Sequence, residues 1–96
     1  MTDADLPPLY AAILDEGTLD QLFFDLEQGA EILRVVFKSK AETADAAAPD
    51  LRAAHRALVE GRVLGVQIRY RFQGREWWDT LVRGAAGTRL VRVAQG

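Results

Sequence analysis

The stretch Val66–Val93, VQIRYRFQGREWWDTLVRGAAGTRLVRV, decides the fold. Val66, Ile68, Tyr70 and Phe72 alternate with Gln67, Arg69 and Arg71, which is the two-residue period of a strand with unlike faces. Gln73-Gly74 reads as a two-residue hairpin loop, since glycine accepts the positive φ that such turns need. Glu76–Arg83 is then the returning strand, Gly84–Gly87 the next turn and Thr88–Val93 the last strand. The result is a three-stranded antiparallel meander.

The turns also set the register. With Gln73-Gly74 as the loop, Arg71 opposes Glu76, Tyr70 opposes Trp77, Arg69 opposes Trp78 and Ile68 opposes Asp79. The second turn sets Asp79 against Arg92, Thr80 against Val91, Leu81 against Leu90 and Trp78 against Val93. One face then carries Val66, Ile68, Tyr70, Trp77, Leu81 and Leu90, with the Asp79–Arg92 pair among them. The other carries Trp78, Thr80, Val82, Val91 and Val93, flanked by Gln67, Arg69, Arg71 and Arg89. A meander under one helical layer should have one polar face. Neither face here is cleanly polar, so either helices cover both sides or one side meets a partner.

Upstream, Leu6, Leu9, Tyr10, Ile13 and Leu14 recur at helical spacing behind Pro7-Pro8, with Gly17 as the stop. Thr18 and Gln21 form a capping-box pattern for a second helix, whose stripe is Leu19, Leu22, Phe23 and Leu26 and whose end is Gly29. Glu31–Lys38 alternates as a strand, with Leu33, Val35 and Phe37 on one side and Arg34 and Lys38 on the other. Residues 39–48 read as a connection or a poorly ordered helix start. Pro49 opens a third helix with Leu51, Ala54, His55 and Leu58 on its stripe, and Gly61 closes it. The expected architecture is one α+β domain over residues 1–96. It has two N-terminal helices, a strand, a third helix and the meander, in one sheet packed by helices. The link from the first strand to the meander is long enough for a helical crossover, right-handed if those strands are parallel.

Composition narrows the chemistry. The chain has 96 residues, 49% hydrophobic and 27% charged, an ordinary profile for a soluble domain. It has no cysteine and one histidine, which excludes a disulfide framework, a thiol nucleophile and a His-rich metal cluster. No apolar run approaches the ~18 residues of a spanning helix. The start, MTDADLPPLY, has no basic and no apolar segment of a secretory signal. These features point to a cytoplasmic protein that does not enter membranes and holds no cofactor or metal. Residues 1–61 carry five basic and twelve acidic residues, a balance of −7, while residues 62–96 carry seven arginines and two acids, a balance of +5. Such a split marks either a face for an anionic partner or an acidic helical layer neutralising a basic sheet within one molecule.

Five features are candidates for function. Trp78 beside Arg69 and Arg71 reads as a binding anchor, or as an indole packed under a helix with Arg69 stacked on it. Phe24 lies off the apolar stripe, close to Asp20 and Glu27, and suits a partner contact that includes self-association. Asp79 and Thr80 suggest catalysis by residue type, but the cross-strand mate of Asp79 is Arg92, which suits a structural pair pinning the register. His55 suits a core or interface residue bonded to backbone. The glycines Gly61, Gly65, Gly84 and Gly87 lack the strand-loop-helix context of a phosphate cradle. The expectation is a non-enzymatic accessory module that binds another protein or itself as a homodimer, through the sheet or the second helix. The alternative is a nucleic-acid-binding sheet, in which arginines 69, 71, 75, 83, 89 and 92 contact phosphates while a tryptophan stacks on bases.

Overall fold

Two aspartates set where the helices begin. The computed structural model describes residues 9–38 and 46–95. Asp15 Oδ1 accepts the Thr18 amide at 2.7 Å, and α1 runs over Glu16–Gly29. Asp50 Oδ1 accepts the Ala53 amide at 2.8 Å, and α2 runs over Leu51–Val59. Each carboxylate satisfies an orphan amide at the positive end of a helix. The bonds from Thr18 hold the Asp15 carboxyl below the usual carboxylate range. Thr18 is therefore not the cap of its helix, and Gly17 lies inside the first turn instead of ending an earlier helix. At the far end of α2 the Gly61 amide donates to Leu58 O at 3.1 Å and the Arg62 amide to Ala57 O at 2.9 Å. Gly61 has φ +73°, so this is a Schellman stop. Arg83 Nη1 donates to Leu58 O and Val59 O, placing a cation on the negative end of α2.

Six strands, β1 (Leu9–Leu14), β2 (Glu31–Lys38), β3 (Ala46–Ala47), β4 (Gly65–Phe72), β5 (Arg75–Gly84) and β6 (Gly87–Gln95), form one sheet among the described residues. Their order is β1-β6-β5-β4-β2-β3, with every neighbouring pair antiparallel. The expected three helices and three-stranded meander are thus corrected, among the described residues, to two helices and a six-stranded sheet.

Each correction has a physical cause. The first helix is the strand β1. Its six residues, LYAAIL, fit either period, and β6 would otherwise be a long edge with unpaired backbone groups. Docked on β6, the strand turns Ala12 and Leu14 toward the core and leaves Ile13 56% exposed. The strands β2 and β4 are antiparallel neighbours, so no parallel crossover joins them. The register of β2 shifts between Ile32 and Arg34. A bulge there puts Ile32, Val35 and Phe37 against the core and leaves Leu33 40% exposed, off the side on which alternation set it. Of the expected 39–48 connection, residues 39–45 lie outside the described residues, and Ala46–Ala47 pair with β2. The hairpin registers agree with expectation at every pair named above. Gln73 and Gly74 have φ +53° and +78°, the two left-handed positions of a type I′ turn.

Both helices lie on one side of the sheet. Leu19, Phe23 and Leu26 of α1 and Leu51, Ala54 and Leu58 of α2 share one cluster with Val35, Val66, Ile68, Tyr70, Leu81 and Leu90. Below, this is the inner face, and the opposite side is the outer face.

At Gly87, where β6 meets the end of β1, a Cβ would stand 2.6 Å from Leu14 O, and φ is +136°. At Gly74, with φ +78°, a Cβ would meet open space. Gly87→Ala is expected to lose on the order of 2 kcal/mol in urea denaturation, and Gly74→Ala about 1 kcal/mol. Equal losses would contradict the seating of β1 against β6.

Candidate functional site

Alternation along β5 divides its side chains between the two faces. Trp77, Asp79 and Leu81 point inward; Glu76, Trp78, Thr80 and Val82 point outward. The carboxylate and hydroxyl of Asp79 and Thr80 therefore diverge and form no site together.

Inside, Asp79 is fully buried. Arg92 grips it with two bonds, Nε to Oδ1 at 2.9 Å and Nη2 to Oδ2 at 2.8 Å. The Tyr70 hydroxyl donates to Oδ1 at 3.1 Å. The bonds to Asp79 raise the Arg92 guanidinium above its ordinary value, and burial, followed by the Asp79 charge, pushes the Tyr70 phenol well up. No described buried side-chain polar atom lacks a partner. The cluster is a clamp across β4, β5 and β6, in which both oxygens of the buried carboxylate are bonded. His55 is not bonded to backbone as expected. Its ring stacks on Phe23 with centroids 4.3 Å apart, and its Nε2 lies 2.8 Å from Asp20 Oδ1, which ties α2 to α1.

Outside, the strands bring Trp78, Arg69 and Arg71 together. The Arg69 guanidinium lies 4.0 Å from the centre of the Trp78 ring. Its Nε donates to Gln67 Oε1 at 2.9 Å, and Gln67 Nε2 donates to Thr80 Oγ1 at 3.2 Å. Trp78 Nε1 donates to Glu76 Oε2 at 2.8 Å. Arg71 Nη1 pairs with Glu31 Oε1 at 3.2 Å. Of the alternative with Arg69 on the indole under a helix, the stack is present, but no helix among the described residues lies over it. Beside Trp78 the outer face runs apolar through Val93, Val91 and Val82 to Ala11 and Ile13 of β1. Ala11 and Ile13 were missed because β1 was read as a helix. Arg34 lies on the side opposite Val35 and Phe37, as alternation along β2 expects, and the antiparallel pairing of β2 with β4, which the sequence does not announce, sets it beside Arg69.

Three of the arginines assigned to this face leave it. Arg83 and Arg92 turn inward, and Arg75 lies 5.4 Å from the Trp77 ring on the helix side. Phe24 is apart from the Trp78 group, on the solvent side of α1 in the opposite layer, 57% exposed. No group of three or more His, Asp or Glu side chains suited to a metal ion occurs among the described residues. Among the same residues no helix is long and apolar enough to cross a membrane. No family model matches the chain, and comparison with curated proteins and with solved structures found no match.

The clamp has two measurable consequences. Asp79→Ala leaves Arg92 and Tyr70 without their buried partner and is expected to cost about 3–5 kcal/mol in denaturant unfolding; a loss below about 1 kcal/mol would contradict a buried clamp. Tyr70 has a folded pKa above its unfolded value of about 10. Its contribution is therefore full below pH ~10 and falls as the pH rises beyond that, because the unfolded phenol ionises first. Tyr70→Phe is expected to flatten this alkaline decline in melting temperature, and an unchanged slope would contradict the assignment.

Proposed function

We propose that this chain is a small non-enzymatic interaction module whose outer sheet face docks on a protein partner. The observation that supports this is Trp78 standing in a continuous apolar row on a face that no described helix covers. Trp and Arg are the residues in which binding energy concentrates at interfaces. Arg69 stacked on the indole, with Glu76 holding its N–H, fixes the Trp78 side chain before a partner arrives. A fixed ring loses little conformational freedom on binding. The arginines 34, 71 and 89 surround the row as a polar rim.

A nucleic-acid reading has one observation in its favour. Arg34 and Arg89 stand on the same face with no ion pair among the described residues. Against it, Arg69 occupies one face of the indole on which a base would stack, and Glu31 takes Arg71. Protein docking is therefore the better-supported reading.

The test uses immobilised full-length chain. A protein retained by the wild type is expected to be lost with Trp78→Ala and with Val91→Arg, while circular dichroism and melting stay near wild type. Retention by both variants would overturn the reading. A labelled single-stranded oligonucleotide is expected to show no affinity that falls between low and moderate salt; salt-sensitive binding abolished by Arg34→Ala with Arg89→Ala would favour nucleic acid instead.

A further inference from the structure

We propose that the occupant of the outer face is a second copy of this chain, docked head to tail through α1. The inference rests on the docking reading above and names its partner. Its basis is that the molecule carries two complementary surfaces on opposite sides. The helix α1 holds Glu16, Asp20, Asp25 and Glu27 and no basic residue. Its solvent side presents Gln21, Phe24 and Gln28 in a row, with Asp20 and Glu27 along one flank and Asp25 along the other. A groove of about 200 Å³ opens beside Phe24 between α1 and α2, lined by Asp20 and Glu27, by Phe23 and Leu51, and on the α2 side by Arg52 and His55. The outer face has the opposite character: Trp78 and valines, rimmed by Arg34, Arg69, Arg71 and Arg89.

Within one molecule Arg71 meets Glu31 and Asp20 meets His55, but the acids of α1 and the arginines of the outer face do not meet each other. The sheet separates them, and no ion pair among the described residues joins a carboxylate of α1 to an arginine of the sheet. Dimensions agree as well. Fourteen residues make a helix about 21 Å long, and the five strands from β1 to β2 span roughly 20 Å. Laid on the outer face of a neighbour, α1 would complete a helix–sheet–helix sandwich, the usual way a two-sided sheet is covered. A symmetric dimer with outer faces stacked is disfavoured by the same charges. It would bring four arginines of each copy together with only Glu31 and Glu76 to offset them. The proposed contact joins two different surfaces, so it propagates into rings or chains unless one surface is blocked.

Blocking one surface at a time tests this. The wild type is expected to gain mass in light scattering as concentration rises from micromolar to millimolar, and to lose that gain in high salt. Trp78→Ala on the sheet side and Phe24→Ala on the helix side should each weaken association by about tenfold or more. Mixed in equal amounts, the two variants should form a capped 1:1 dimer, because each still offers the surface that the other lacks. Arg34→Glu and Glu27→Lys repeat the design without removing an aromatic ring, should either ring prove necessary for folding. A wild type that stays monomeric throughout would overturn self-docking and leave the outer face to its own capture test. Association of the wild type without rescue in the mixture would overturn the head-to-tail arrangement.

Discussion

The carboxylate of Asp79 is the constraint on which the rest of the structure depends. It is the only charged side chain among the described residues that is fully buried, and removing it from water is costly. Arg92 from β6 and Tyr70 from β4 meet it from either side. That geometry is satisfied in one register only. A slip of one residue between β4 and β5 would turn Asp79 away from Tyr70, and one between β5 and β6 would turn Arg92 away from Asp79. An apolar pair of similar volume could be equally stable there, yet it would discriminate between registers far less. The clamp therefore acts chiefly on specificity. By holding Asp79 inward it also holds its neighbour Trp78 outward.

The distribution of helices follows from chain length and turn chemistry. Asp15 and Asp50 start two helices whose apolar stripes cover one side of the sheet. Gly61 and the Arg83 side chain fix the end of α2. Nothing described remains to cover the other side, whose side chains shield one another through the Arg69–Trp78 stack and the Gln67–Thr80 bond. Charge follows the same layering in part. Acids gather on the solvent side of α1, and Arg34, Arg69, Arg71 and Arg89 on the outer face, while Arg75, Arg83 and Arg92 turn to the helix side, so the asymmetry along the chain is carried over to the two sides only in part.

The C-terminal half was legible because its signals are local. Gln73-Gly74 and Gly84–Gly87 are turns by residue type, and once they are set, alternation orders every pair from Gly65 to Gln95. The Asp79–Arg92 pair and the shared face of Trp78, Arg69 and Arg71 follow from that. The N-terminal half was misread where the deciding partner is remote. Whether LYAAIL is helix or strand depends on the free edge of β6, some eighty residues away in sequence. The bulge at Leu33 carries no glycine to announce it. Asp15 outcompetes Thr18 as a cap because a carboxylate is the better acceptor at a helix start, a choice the capping-box pattern alone does not make.

Thiol labelling tests the division of faces most directly, because the chain contains no cysteine of its own. Single cysteines replacing Leu81 and Val82 would differ by one position along β5 and by a whole face of the sheet. In dilute native protein, Val82→Cys should react with a maleimide far faster than Leu81→Cys, which lies in the helix-covered core. Equal protection at both positions would mean that the monomer covers its own outer face. Reversed protection would mean that the clamp holds a different register.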